Sequence, residues 1–264
     1  MNSSDHPSRE NENGPRLGPR LFSLLHTGTP GDLEYYLAQC EGAESVLELG
    51  CGYGRFLLPM LERGLSVTGL ELDPDMLEYA RQMMARVPEA GPVARLVEGD
   101  MRTFALDCFF DRVLIPFNTL FCLQSDEDVR ATLRQVTKHL RPGGKLILDV
   151  YHVEAEDLGS EPFEEAKEFL ATVDGHGLVA EVYEGGGWEP SLQQVRVEYE
   201  FHIQTPDGEQ IVPQVISHHY LYPSQLRALL ESAGFEIERW DGDFEGAPFV
   251  DESSQLVVVA RLKA

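Results

Sequence analysis

The run Val46-Leu47-Glu48-Leu49-Gly50-Cys51-Gly52-Tyr53-Gly54-Arg55 decides how the rest of the chain is read. A short apolar segment holding one acid meets three alternating glycines, and a helical pattern follows at once. Glycine allows positive φ and lets a ligand come close to the main chain. The first turn of the helix brings unpaired N–H groups to the same point. Strand, glycine loop and helix in that order are how a doubly wound parallel sheet holds a nucleotide-like cofactor.

The spacing narrows the choice of cofactor. It reads G-x-G-x-G, with Arg55 where the dinucleotide fingerprint G-x-G-x-x-G sets its last glycine. Glu48 would repel a pyrophosphate and attract a ligand that carries an ammonium and a sulfonium. S-adenosylmethionine has both cations and no phosphate.

Downstream, the same grammar repeats. Leu65 to Glu71 reads as a second buried strand, followed by a helix with Asp73 as N-cap, Pro74 at its first position and Asp75 in its first turn. Ala94 to Glu98 is a third strand ending at Gly99-Asp100, and Asp111 to Pro116 a fourth ending at Phe117-Asn118. Ser125 and Asp128 open another helix, Pro142-Gly143-Gly144 stops it, and Lys145 to Tyr151 is a fifth strand. Strands alternating with helices in this way specify a parallel sheet covered on both faces. Glu71 then ends strand two, where a carboxylate can accept both ribose hydroxyls, and Asp100 follows strand three at the same edge, placed to accept from an adenine amino group.

Past His152 the pattern changes. Residues 153–168 are acid-rich and are expected to be partly helical, while Leu178 to Tyr183, Gln193 to Gln204 and Gln210 to Tyr222 alternate with period two. With turns at Gly185-Gly186-Gly187 and Pro206-Asp207-Gly208, they form an inserted antiparallel sheet of about three strands. Pro223 to Ala233 is a helix, and Phe235 to Trp240 and Leu256 to Leu262 are strands. The expected organisation is a disordered tail over 1–20, a cofactor-binding part over 21–152, the inserted sheet as acceptor cover over 153–222, and a closing segment over 223–264.

Composition excludes some partners. Forty-two per cent of the residues are apolar and 25% charged, as in an ordinary globular chain, but 45 acids face 21 Lys and Arg, giving a net charge of −24. That charge opposes nucleic acid and anionic membranes. The four cysteines (Cys40, Cys51, Cys108, Cys122) show neither metal-ligand spacing nor a disulfide framework. The first twenty residues lack the apolar core of a signal peptide, and Asp107, Asp111 and Arg112 interrupt the longest apolar stretch. A cytoplasmic monomer or homodimer with no metal is the expectation.

The chain resembles the class I S-adenosylmethionine-dependent methyltransferases. The resemblance rests on Glu48-Leu49-Gly50-Cys51-Gly52-Tyr53-Gly54-Arg55, Gly69-Leu70-Glu71-Leu72-Asp73, Glu98-Gly99-Asp100-Met101 and Leu140-Arg141-Pro142-Gly143-Gly144. It implies a Rossmann-like seven-stranded sheet of order 3-2-1-4-5-7-6 with the last strand antiparallel. It further implies that Glu48, Gly50, Gly52 and Gly54 hold the methionine part with Arg55 near its carboxylate. Glu71 and Leu72 would then lie at the ribose, Asp100 and Met101 at the adenine, and Pro116 at the cofactor edge. The inserted sheet is similar to that of small-molecule members, among them sugar-amine and glycine or sarcosine N-methyltransferases. Enzymes of the superfamily that methylate amino groups of DNA and protein carry Asn-Pro-Pro-Tyr after strand four, where this chain has Pro116-Phe117-Asn118-Thr119.

Methyl transfer needs alignment, exclusion of water and a deprotonated nucleophile. Candidates to help are His26, His152, His218 and His219, with Tyr35, Tyr151, Tyr220 and Tyr222 as orienting groups. In a strand His219 shares a face with Leu221, and His218 with Tyr220. On that pairing His219 is expected to point inward as the base for N- or O-methylation of a small molecule, with Tyr220 as the alternative should the register be reversed. Two other readings stay open: a catalytically silent adenosylmethionine-binding or partner protein, and an NAD(P)-dependent oxidoreductase on the same sheet.

Overall fold

The computed structural model describes residues 17–85, 94–153, 164–175, 177–206 and 208–263. Two helices lead in, α1 (Leu17–Leu25) and α2 (Asp32–Gln39). They are followed by β1 (Ser45–Leu49), α3 (Leu57–Glu62), β2 (Ser66–Glu71), α4 (Pro74–Met84), β3 (Ala94–Glu98) and β4 (Phe110–Ile115). Next come α5 (Asp126–His139) and β5 (Leu140–Tyr151). The inserted strands are β6 (Glu164–Gly175), β7 (Leu178–Glu189), β8 (Gln194–Thr205) and β9 (Gly208–His219), and α6 (Pro223–Ser232), β10 (Phe235–Asp241) and β11 (Gln255–Leu262) close the chain.

The main sheet runs β10-β11-β5-β4-β1-β2-β3, with β11 antiparallel to both neighbours. Read from its other edge, this is the order 3-2-1-4-5-7-6. Its central strands are apolar almost without interruption because both faces are covered. Leu47, Leu49, Val113, Ile115, Leu146 and Leu148 pack on the side of α5 and α6. Val46, Val67, Leu114 and Ile147 pack on the opposite side with Tyr36, Phe56 and Leu57 from α2, α3 and the residue before α3. The caps are as the sequence predicts: Asp73 accepts from the Asp75 and Met76 amides, and Ser125 from the Asp128 amide.

The insertion departs from expectation in three ways. It has four strands in the order β6-β7-β8-β9, the additional one being β6, which lies partly in the stretch read as helical. The rest of that stretch, 154–163, lies outside the described residues. Gly185, Gly186 and Gly187 do not turn the chain but pair with Glu198, Val197 and Arg196 of β8. A Cβ on Gly186 would fall 3.1 Å from the Cα of Val197, so the glycine serves a close strand approach. The turn comes later, in the short 3-10 segment Pro190–Leu192.

The leading segment differs as well. Helix α1 begins at Leu17, inside the stretch expected to lack structure, and residues 1–16 lie outside the described residues. Its Leu21 is fully buried among Val173, Ala180, Val182, Tyr199, Phe201 and Ile203 of the antiparallel sheet. The insertion thus has an apolar cluster of its own, with α1 as part of it.

Candidate active site

A cavity of about 2710 Å³ opens where β1, β2, β3, β4 and β5 end, and the antiparallel sheet covers it. This is the edge of an open α/β sheet at which ligands bind. The volume is several times the roughly 300–1,000 Å³ of an ordinary ligand pocket, so two molecules can meet inside it.

One half is built on the glycine loop. Glu48 is 2% exposed, and its Oε2 is buried with no hydrogen-bond partner. Burial pushes its carboxyl well above the ordinary range; Arg55 opposes the shift and Glu71 adds to it. An unpartnered buried acid facing a cavity fits a cationic ligand group. Gly50 and Gly52 line the cavity at φ 67° and 54°. Gly54 does not: a Cβ there would meet Met84 Cε at 2.8 Å, so this glycine lets α4 pack against the loop.

Arg55 lines the same half, but its guanidinium is held by both Asp32 oxygens, at 2.9 and 2.6 Å, and lies 4.0 Å from the Phe56 ring centroid. Glu71 receives the Gly52 amide at 2.8 Å on Oε2, and the Leu72 and Asp73 amides at 2.9 Å on Oε1. These bonds fix the carboxylate against the loop and leave lone-pair capacity for further donors. Asp100 is clasped by Arg102 through Nε and Nη2, which holds its carboxyl below the usual range, and Arg102 also reaches Asp128 at 3.1 Å. Leu72, Met101 and Pro116 line the cavity beside them.

The other half belongs to the insertion. On β9, Val212, Gln214, Ile216 and His218 share one face; opposite them on β8 stand Phe201, Tyr199, Val197 and Val195. All of these except the buried Phe201 line the cavity. His218 Nδ1 lies 3.3 Å from Tyr151 Oη. His26, just beyond α1, packs 4.2 Å from the Phe22 ring, 5.4 Å from Tyr199 and 6.1 Å from Phe117. Burial lowers both imidazoles to about 4, and proximity to His26 adds to the shift at His218, so both are neutral at pH 7.

Between the halves, the chain leaves β4 through two residues in left-handed conformation, Phe117 at φ 55° and Asn118 at φ 59°. Buried Asp149 holds this turn: its Oδ1 accepts from the Phe117 amide at 2.8 Å and from the Tyr36 hydroxyl at 2.6 Å. Asn118 Oδ1 accepts from the Tyr151 amide at 2.6 Å.

His219 and Tyr220 stand elsewhere. His219 Nε2 lies 3.0 Å from Asp126 Oδ1 in the first turn of α5, and the fully buried Tyr220 packs against Trp188 and Tyr222. Neither lines the cavity. The strand ends at His219, where the Tyr220 amide turns to the Gln193 carbonyl, so its alternation does not carry on to Leu221. Both sides of this strand end are also covered, so an apolar neighbour could not mark the cavity side. Tyr35 pairs with Asp241, and His152 with the Ser253 carbonyl. Gln214 and Phe117 were not singled out from the sequence. A lone glutamine in the alternation Val212-x-Gln214-x-Ile216 was the available signal.

A sheet of this order, whose glycine loop carries a buried acid suited to an ammonium, defines a Rossmann-like enzyme that uses S-adenosylmethionine. The chain is an S-adenosylmethionine-dependent methyltransferase, and the family model described as a methyltransferase domain matches its residues 46–144. Cypemycin N-terminal methyltransferase from a Streptomyces species is 27% identical over 227 residues, 81% of this chain and 82% of that protein. The N,N-dimethyltransferase of a dTDP-linked 3-amino-3,4,6-trideoxyglucose from Streptomyces venezuelae is 34% identical over 107 residues, 40% of this chain and 42% of that one. The CcbJ methyltransferase structure from Streptomyces caelestis superposes with a TM-score of 0.73 at 27% identity, covering 90% of this chain and 92% of the other. Among the described residues no helix is long and apolar enough to cross a membrane, and no group of His, Cys, Asp and Glu is arranged to hold a metal.

Proposed function

We propose that this enzyme methylates an amine nitrogen of a small molecule seated between the glycine loop and the antiparallel sheet. The observation that carries this is the neutral His218 beside Tyr151, on an apolar wall facing the cofactor half. When bound, S-adenosylmethionine supplies a methyl group on a sulfonium, activated for in-line displacement. Glu48 holds the ammonium of the methionine part, and Glu71 receives the ribose hydroxyls. The burial that keeps His218 and His26 unprotonated also raises the cost of an ammonium against this apolar wall and favours the neutral amine there, with its lone pair free. His218 accepts an N–H of that amine and orients it. So weakly basic an imidazole is ill matched to removing the proton of an alcohol, which favours nitrogen over oxygen. Two of the relatives named above are, by their names, an N-terminal methyltransferase and an amino-sugar N,N-dimethyltransferase, which supports nitrogen as the acceptor atom.

On this reading residues 21–152 bind the cofactor, 153–222 cover the acceptor and 223–264 complete the sheet. Four free thiols fit a reducing compartment and hence the cytoplasm. The test is turnover with methyl-labelled S-adenosylmethionine on a panel of primary and secondary amines, each paired with the matching alcohol. Label on amines and not on alcohols is expected; label confined to alcohols overturns the nitrogen assignment.

A further inference from the structure

The acceptor wall also carries information about the rest of the acceptor. Gln214 and His26 line the cavity, and both hold a buried polar atom without a hydrogen-bond partner, Oε1 and Nε2. Gln214 Nε2 donates to the Gly18 carbonyl at 2.9 Å, so its Oε1 is left purely as an acceptor. His26 Nε2 accepts an N–H or O–H in one tautomer and, being uncharged, offers no counter-charge to an anion in either. Tyr199 stands opposite Gln214 and beside His26, and Val195, Val197, Val212 and Ile216 line the same cavity.

The charged groups point the same way. Among the described residues lining the cavity, the cations are Arg20, Arg55 and Arg102, against Glu48, Glu71, Asp73, Asp75 and Asp100. Arg55 is held by Asp32, Arg102 by Asp100 and Asp128, and Arg20 makes an interaction of its own. A phosphate is recognised by planar guanidinium groups or lysines turned toward it, and burying one without them is costly. The chain as a whole carries −24.

We infer that the acceptor wall selects an amine whose body is largely apolar and carries hydrogen-bond donors, and that it rejects acceptors bearing a phosphate or a nucleoside diphosphate. This rests on the amine reading above and separates the chain from its relative that acts on a dTDP-linked sugar.

The experiment is calorimetric titration of the protein loaded with S-adenosylhomocysteine. The probes are an alkyl glycoside of an amino sugar, the same amino sugar linked to thymidine diphosphate, and an apolar dipeptide amide with a free N-terminus. The two phosphate-free amines should bind at least about tenfold more tightly than the nucleotide-linked one. Gln214→Leu should weaken the alkyl glycoside about two- to tenfold and leave S-adenosylhomocysteine affinity unchanged, as loss of one neutral hydrogen bond does. Equal or tighter binding of the nucleotide-linked sugar overturns the inference, as does no binding of either phosphate-free amine. With S-adenosylmethionine in place of S-adenosylhomocysteine, methyl transfer to a hydroxyl of the glycoside would overturn the amine reading and leave the rejection of phosphate standing.

Discussion

Replacing Glu48 with glutamine should act in opposite directions on the free protein and on its complex. In the free protein the carboxyl is buried and its Oε2 unpartnered. Glutamine keeps the shape and removes the charge. The melting temperature should therefore hold or rise, by about 2–4 °C for each kcal/mol of desolvation relieved. In the complex, the ammonium loses its partner. A hydrogen bond to a charged group is worth about 1.5–3 kcal/mol, so S-adenosylmethionine should bind about 10- to 150-fold more weakly. The pH dependence follows from the raised carboxyl. Because the folded state holds this proton more tightly than the unfolded chain, the group's contribution to stability is greatest below the ordinary carboxylate pKa. It is lost as pH rises from there through the raised folded value. Cofactor affinity runs the other way over the same window, rising as the carboxylate forms. Glu48→Gln should flatten both profiles. Melting curves and calorimetric titrations between about pH 5 and pH 8 read all of this. Unchanged cofactor affinity together with a lower melting temperature would refute the reasoning.

His218→Ala should lower kcat about two- to tenfold, as loss of one orienting neutral hydrogen bond does, with S-adenosylmethionine affinity kept within about a factor of two. His219→Ala should leave turnover nearly intact and lower stability by about 1–2 kcal/mol, since it loses only its packing and the bond to Asp126; the reverse pattern in steady-state kinetics returns the role to His219. Asp149→Ala removes the acceptor from the Tyr36 hydroxyl and the Phe117 amide, at about 1–3 kcal/mol each. A urea midpoint equal to that of the wild type would show that the left-handed turn at Phe117 holds without it.

What the chain disclosed in advance was local. The cofactor half is a succession of short strand-loop-helix units, and each announces itself within about twenty residues: the glycines at 50–54, the Asp73-Pro74 cap, the acids at strand ends. The acceptor half is not local. Strand β6 is hidden in an acid-rich run, and its Lys167 meets Glu198 and Glu200 only through the pairing of strands, two strands away on β8. Gly185 to Gly187 look like a turn until the backbone of Arg196 and Val197 is laid against them. Helix α1 is nine residues long, too short to be stable alone, and Leu21 gains its burial only from strands more than 150 residues further on. The placement expected of His219 differs for a related reason: the core lies on both sides of that strand end, so alternation alone could not say which side faces the cavity.

The separate apolar cluster beneath the acceptor wall has a consequence for how such an enzyme changes over generations. Tyr199 and Phe201 are anchored by Leu21 and the strands around them, whereas the glycine loop rests on Tyr36, Phe56, Leu57 and Met60. Substitutions at Val212, Gln214 or Ile216 can recarve the cavity wall of the insertion without disturbing the packing beneath Glu48 and Glu71. One methyl-donor apparatus is thereby free to be inherited intact while lineages trade acceptors, and a library confined to the inner faces of β8 and β9 is where altered selectivity is to be sought.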